Sequence, residues 1–545
     1  MVKITIADGK TEKVFGCVEG DSILVTLRKN NVYVPAYCDG RGTCKKCRVR
    51  LIEGELPVTD EDAAAFTLRQ LEEGWRLSCR AFPEKDCVIV LETQKEEDFE
   101  VLGGRDKVQM EGAPEVHRTK KSDGHLEKAD LDNSEARAFG VAVDVGTTTI
   151  AMELVDLKDG QVLAWESSIN HQRAYGADVI SRIQASVAGL GSALKKSVWT
   201  DLIEGVAALE EKAGILSGHI EKMTVAANTT MIHLLMGYSC ETLGVAPFTP
   251  VTTDPIHSRI KEAAGDVLSR EEILKYGKME LIILPGISTY VGADIVAGML
   301  VCGFDQIKAP AMLIDLGTNG EMVIGGRTMR VATSTAAGPA FEGGNISWGT
   351  GSVGGAICAV SYKDGEMAYE TIGNKPPVGI CGTGVLDIAA ELVGHGLVDE
   401  TGLLDEDYFD IGVKIADGPG EEPITFTQKD IREIQLAKAA VRAGINVLLK
   451  RYGTNGADLA KVYLAGGFGF RLNIDKAVAI GLLPESFSGK ITVVGNASLK
   501  GARMCLLDEN LIGRAWKMAG DTQEISLGND GDFNEYFMEA MYFER

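Results

Sequence analysis

Two stretches about 170 residues apart repeat one pattern, and that repeat limits the possible folds more than anything else in the chain. Val141-Ala-Val-Asp144-Val-Gly146-Thr147-Thr148-Thr149-Ile150 is an apolar strand that ends in a carboxylate, turns on glycine and small hydroxyls, and returns as a second strand. Met312-Leu-Ile-Asp315-Leu-Gly317-Thr318-Asn319-Gly320-Glu-Met-Val-Ile does the same. Internal repetition of this kind predicts two similar lobes facing each other across a cleft. Each turn has the make-up of a phosphate loop, in which N–H groups and threonine hydroxyls wrap phosphate oxygens while the carboxylate holds Mg²⁺ through water. One such hairpin alone is a modest signal. A third stretch, Lys461-Val-Tyr-Leu-Ala-Gly466-Gly467-Phe468-Gly469, is an apolar strand ending in paired glycines, which let an adenine and ribose lie flat against the backbone. An ATP site is therefore expected from Asp144, Gly146, Thr147, Thr148, Thr149, Asp315, Gly317, Thr318, Asn319, Gly320, Gly466 and Gly467. Among many carboxylates, Asp315 is the best placed general base for hydrolysis and Asp144 the second.

The N-terminal region carries a different chemistry. Cys38-Asp-Gly-Arg-Gly-Thr-Cys44-Lys-Lys-Cys47 puts three cysteines on a Gly-rich loop, and Cys79 follows in Arg76-Leu-Ser-Cys79-Arg80. Four thiolates are what a [2Fe–2S] cluster needs, and the glycines let backbone N–H groups approach the bridging sulfides. The competing structural zinc site usually presents two close C-x₂-C knuckles, and only Cys44 and Cys47 have that spacing. The first interval is one residue longer than in the plant-type pattern and resembles the adrenodoxin-type variant of the same domain.

Residues 1–92 read as one small domain around that loop. Strands are expected at Lys3–Ile6, Lys13–Phe15, Arg48–Ile52 and Cys87–Leu91, with a helix capped by Asp21 that buries Ile23, Leu24 and Leu27, and another near Asp62–Glu72. Together they describe a β-grasp ferredoxin, with Cys17 and Cys87 as small core residues. Arg41, Lys45, Lys46, Arg48, Arg50, Arg76 and Arg80 make its cluster mouth basic, opposed by Asp39. That face is either simply solvated or a docking surface for an acidic electron partner. Residues 93–138 are too polar to form a core and read as a flexible linker, about 35–40 Å in average span. The two lobes then occupy 139–310 and 311–545.

Smaller stretches fit around the cleft. Asn228-Thr229-Thr230 caps an apolar helix containing a satisfied His233. Gly286–Asp294 and Thr335–Gly344 are small-residue turns suited to line the cleft, and Ile380-Cys381-Gly382-Thr383-Gly384 precedes a helix whose N-terminus suits an anion. The aromatic tail, Phe533 to Phe543, reads as a helix packed on the ATPase domain. A net charge of −23 argues against nucleic acid and anionic membranes as partners. No run approaches 18 apolar residues and the first residues resemble a strand, so neither a spanning helix nor a signal peptide is expected. The 11 cysteines, scattered outside the motif, suit reduced thiols in a cytoplasm.

The two hairpins and the strand ending in paired glycines, in this order, resemble the actin, heat-shock chaperone and sugar-kinase superfamily. The fold class expected is thus multidomain, α/β and α+β: a β-grasp [2Fe–2S] ferredoxin, a flexible linker and a two-lobed actin-like ATPase. The whole chain resembles the reductive activators of corrinoid proteins. The residues that carry this are the Cys38, Cys44, Cys47 and Cys79 set, Asp144–Thr149, Asn228–Thr230, Asp315–Gly320, Ala336–Pro339 and Gly466-Gly467. The methylamine branch of that family has a C-terminal pair of [4Fe–4S] clusters; this chain has no cysteine-rich C-terminus and looks like the [2Fe–2S] branch. The resemblance implies ATP- and Mg²⁺-dependent return of Co(II) to Co(I) in a corrinoid protein, one electron at a time. It also implies a low-potential electron donor, and a monomer or homodimer. Three rivals differ in class: an activator of another low-potential enzyme, a small-molecule kinase with a redox-sensing ferredoxin domain, and a non-catalytic redox-sensing docking module. The first would need a cluster between subunits, and only Cys358 and Cys381 are available, in apolar settings that favour burial.

Overall fold

Short strands of β-branched and aliphatic residues close a small mixed sheet at the N-terminus. In the computed structural model, residues 2–7, 12–30, 32, 34, 36, 40–42, 45–91, 138–363, 365–419, 422–466 and 472–543 are described. The expected linker, 93–138, lies outside them except for Ala138, as do Cys38, Cys44 and Gly467. The sheet runs Glu12–Cys17, Val2–Ala7, Cys87–Leu91, Arg48–Glu53, Trp75–Leu77. The helix Ile23–Lys29 packs on it through Ile23, Leu24 and Leu27, against Ile4, Val49 and Ile89.

Two local readings need correction. The cap of that helix is Ser22, whose hydroxyl accepts from Val25 N–H at 3.3 Å, while Asp21 takes the Lys29 ammonium at 2.5 Å. The helix expected near Asp62–Glu72 is two, Asp60–Ala65 and Leu68–Glu72, because Thr59 with Asp62 and Thr67 with Gln70 each form a capping box.

The two long lobes share one topology. In the first, Phe139–Val145 and Thr149–Asp156 form an antiparallel hairpin extended by Val162–Ile169, and Ile220–Ala227 then Glu280–Ile283 add in parallel on the other side. In the second, Ala311–Leu316, Gly320–Gly325 and Arg330–Thr335 repeat the meander, and Lys461–Ala465 then Ile491–Gly495 add in parallel. Each lobe appends one edge strand of its own, Ile256–Arg259 and Thr522–Glu524. The helices Ala293–Val301 and Ala497–Leu507 pack on each other, in one apolar core that joins Val141 and Val225 of the first sheet to Leu313 and Val323 of the second. A second core gathers the opposite face of the second sheet with the helices Gly382–Gly394 and Gln428–Tyr452. The tail forms the helix Phe533–Ala540 against Gln428–Tyr452, where the buried Lys438 ammonium donates to Ala540 O and Tyr542 O at 2.7 and 2.6 Å. Among the described residues, no helix is long and apolar enough to cross a membrane.

Candidate functional site

The repeated topology brings the two carboxylate-ended strands together. Asp144 lies in register with Ala151 and Ala226, and Asp315 with Glu321 and Ala465, so each closes the central hairpin of its own sheet. Both border one cavity of about 320 Å³, together with Gly146, Thr147, Thr148, Thr149, Gly317, Thr318, Asn319 and Gly466. Gly320 is not on its wall; it opens the return strand, where an added Cβ would meet Thr335 Cγ2 at 3.0 Å. Gly466 adopts φ +95°, and a Cβ there would fall 2.5 Å from Leu316 O and 2.8 Å from Asp315 Oδ1. Only glycine fits that approach.

Carboxyl groups are concentrated and desolvated in this cavity. Burial pushes Asp315 up to about 8, reinforced by the charges of Asp294 and Asp144. Burial likewise raises Asp294 to about 7, and it holds Glu321 well above the usual carboxylate range. Asp144 is also raised by burial, opposed by hydrogen bonds from Ser498 Oγ at 2.7 Å and Asn496 Nδ2 at 2.8 Å. Such a cluster suits a divalent cation. Among the described residues, no group of three His, Cys, Asp or Glu is gathered tightly enough to grip one directly.

The hairpins are braced from behind. Asn170 Nδ2 donates to Gly146 O at 2.8 Å, and the buried Arg182 donates through Nη2 to Thr147 O at 2.5 Å. Asn228 caps the helix Thr229–Met236 and donates to Thr147 Oγ1 at 3.1 Å. In that helix His233 donates through Nδ1 to Thr229 O at 2.8 Å, while its Nε2 accepts from Val251 N–H at 2.9 Å. It is a satisfied core histidine, as its setting predicts. Glu342 spans the two hairpins: its Oε2 accepts from Thr148 Oγ1 at 3.2 Å and from Thr318 Oγ1 at 3.0 Å. Asn496 and Ser498 were not anticipated. Their only sequence signal is an N-cap after an apolar strand.

In the small domain, Cys47 and Cys79 are buried with their sulfurs 3.3 Å apart. The hydrogen bond with Cys79 holds the Cys47 thiol down at about 6, toward the thiolate that an iron–sulfur cluster requires. Gly40 turns with φ +80° beside them, where a Cβ would lie 3.9 Å from Cys79 Cβ. The pair fits two of the four ligands of a [2Fe–2S] cluster. The surrounding basic residues are less available than their sequence implies. Arg76 folds inward onto Leu56 O and Trp75 O at 3.0 and 2.7 Å, Arg80 pairs with Glu61 at 3.1 Å, and Arg48 lies over the Phe66 ring. Lys46 donates to Ile346 O and Ser347 O at 3.3 and 3.2 Å, on the second lobe of its own chain. Cys381 is buried as expected; Cys358 is only half-buried.

Comparison with known proteins covers both modules. Residues 6–84 match the 2Fe-2S iron-sulfur cluster binding domain, 139–307 the RACo middle region, and 309–545 the C-terminal ASKHA domain of RACo. The corrinoid activation enzyme RamQ of Eubacterium limosum is 30% identical over 564 residues, covering 93% of each chain. A [Co(II) methylated amine-specific corrinoid protein] reductase of Methanosarcina barkeri is 27% identical over 73% of this chain and 76% of its own. The solved structure of a reductive activator for corrinoid, iron-sulfur protein aligns with TM-score 0.68 at 28% identity, covering 100% of this chain and 98% of that one.

Proposed function

This chain belongs to the family of reductive activators of corrinoid proteins, and we propose that it uses ATP to deliver one electron to a corrinoid protein, returning Co(II) to Co(I) for methyl transfer. The observation that carries this reading is the pairing, in one chain, of a buried thiol pair in a ferredoxin sheet with two phosphate hairpins facing one cavity. In this reading residues 1–92 are the electron-carrying head, 93–138 the linker, and 139–310 and 311–545 the ATPase lobes. A low-potential donor supplies the head, and the work is done in a cytoplasm by a monomer or homodimer.

A [2Fe–2S] cluster, when bound, supplies one-electron transfer. Cys38, Cys44, Cys47 and Cys79 would hold it. The loops of Gly146–Thr149 and Gly317–Gly320 orient the phosphates, and Gly466 with Gly467 lets the adenosine lie close to the backbone. Asp144 and Asp315 would hold Mg²⁺, which would neutralise phosphate charge. Asp315, at the end of its strand on the cavity wall, is the first candidate for taking a proton from an attacking water, with Asp144 as the second. Co(I) lies at low potential, so the transfer is uphill. For one electron, 59 mV is tenfold in equilibrium, about 1.4 kcal/mol. A coupling of a few kcal/mol between nucleotide and partner then spans a gap of about 100–200 mV.

The test is anaerobic. Reduced protein is mixed with a Co(II) corrinoid protein and Mg-ATP, and the visible spectrum is followed for Co(I). Co(I) should appear only with ATP and vanish in Cys44→Ala and in Asp315→Ala. No Co(I) with several corrinoid partners, despite an intact [2Fe–2S] spectrum, would overturn the assignment of the acceptor.

A further inference from the structure

One turn touches the machinery of both modules. At its start, Glu342 accepts from Thr148 and Thr318, one hydroxyl from each phosphate hairpin. At its end, the carbonyls of Ile346 and Ser347 accept from the ammonium of Lys46, the residue before Cys47. Little slack separates the two ends. Gly343 turns with φ +79°, and a Cβ there would lie 2.4 Å from Thr350 O; a Cβ on Gly349 would lie 1.8 Å from Gly343 O. Gly344 N–H donates to Pro339 O at 2.8 Å. Backbone packed on backbone passes a displacement on instead of absorbing it. Beyond the turn, Ser347 is held by Asp430 Oδ1, which accepts its N–H at 2.7 Å and its hydroxyl at 3.0 Å; Asn345 Nδ2 donates to Glu433 at 3.3 Å.

Glu342 stands where a terminal phosphate would be gripped. A carboxylate and a phosphate are both anionic acceptors, so they compete for the same two hydroxyls and repel each other. We propose that the turn from Glu342 to Ser347 is the docking site of the N-terminal domain, with Lys46 as its anchor. The terminal phosphate of a nucleoside triphosphate, by expelling Glu342 from Thr148 and Thr318, loosens that docking. The proposal rests on the nucleotide reading of the cleft given above. A ligand shifts an equilibrium only when it binds the two arrangements unequally, and the exchange of carboxylate for phosphate supplies that inequality. Linkage then makes the effect reciprocal: weakening the dock tightens triphosphate binding by the same factor.

Amine footprinting of the full chain with its cluster reads this directly. The acetylation rates of Lys45 and Lys46 are measured by mass spectrometry without nucleotide and with Mg²⁺ plus a non-hydrolysable ATP analogue, whose binding is followed calorimetrically in the same samples. Lys46 should react about 5-fold faster with the analogue, a factor at the low end of typical couplings. Lys45, whose ammonium donates to Ala64 O within the head, should not change. In Glu342→Gln the Lys46 response should shrink, because the repelling charge is gone. Lys46→Ala should bind the analogue about 5-fold more tightly. An unchanged Lys46 rate with the analogue bound would overturn the docking proposal and leave the nucleotide reading intact. Lys45 and Lys46 accelerating together would also overturn it, since that reports opening of the loop itself. Absence of analogue binding would overturn both.

Discussion

Replacing Asp315 by asparagine tests whether the cleft is held under electrostatic tension. Its carboxyl is pushed from an ordinary 3.8 to about 8, chiefly by burial and then by Asp294 and Asp144. A carboxyl raised on folding binds more protons in the native than in the unfolded state, so stability falls as pH rises from about 4 through about 8 and levels off above. From 3.8 to pH 7 is about 3.2 pH units, and at about 1.4 kcal/mol each the ionisable group costs about 4 kcal/mol. That figure is a ceiling, because Asp144, Asp294 and Glu321 titrate with it and share the charge. Asp315→Asn keeps the shape and removes the charge, and should stabilise the nucleotide-free protein by about 1–3 kcal/mol at pH 8, raising Tm by about 3–8 °C. Thermal melts of the full chain at pH 6, 7 and 8, with EDTA or with Mg²⁺ and an ATP analogue, give the answer. Wild-type Tm should fall from pH 6 to 8 in EDTA and recover with Mg-nucleotide. The variant should melt higher at pH 8, with a flatter pH slope and a smaller nucleotide response. A variant that melts below wild type at pH 8 with an unchanged slope would refute the reasoning.

Three further outcomes follow from the same geometry. Because Mg-nucleotide draws protons off Asp294 and Asp315, held at about 7 and about 8, its affinity should rise from pH 6 to 8 and flatten above. Calorimetry in buffers of different ionisation heat should detect the released protons, and a pH-independent affinity would count against the assignment. Gly466→Ala places a methyl 2.5 Å from Leu316 O at a positive φ, and should abolish nucleotide binding while the visible spectrum of the [2Fe–2S] head stays intact. Cys79→Ser should do the reverse, losing the cluster absorbance in reconstituted protein and leaving nucleotide affinity unchanged; retained absorbance would remove Cys79 from the ligand set.

What the sequence made legible was what is local in the chain. Asp144 and Asp315 announce themselves because strand, carboxylate, turn and return strand are contiguous, and duplication of the topology follows from duplication of the pattern. The cap of the first helix was misplaced by one residue because Asp21 and Ser22 are both good capping types. Only the geometry puts Ser22 within reach of Val25 N–H. Arg76 counts as surface charge by composition, yet its guanidinium is taken up by backbone carbonyls that no local pattern connects to it. Asn496 and Ser498 lie about 350 residues from Asp144, and their contacts exist only because the helix Ala497–Leu507 returns to pack against the first lobe. Glu342 was visible as part of a small-residue turn, but its hold on Thr148 and Thr318 requires the two lobes to face each other.

The raised carboxylates connect the stability of the cleft to the work asked of it. A cavity that binds Mg-nucleotide with its acids already ionised and solvated would gain little from closing around the ligand. Here burial raises Asp294 to about 7 and Asp315 to about 8 and holds Glu321 well above the usual carboxylate range, so a divalent cation relieves a desolvation cost that the folded lobes otherwise maintain. That relief is specific to the nucleotide-bound arrangement and is thus differential binding energy, the only kind that can shift a conformational equilibrium. A few kcal/mol of it, at about 1.4 kcal/mol per 59 mV for one electron, is equivalent to about 100–200 mV of driving force. The route from cleft to head is short: Glu342 borders the same cavity, and Lys46, held by the carbonyl of Ile346, precedes Cys47 in the chain. In the proposed coupling, the cleft and the ferredoxin head are therefore joined through one tight turn.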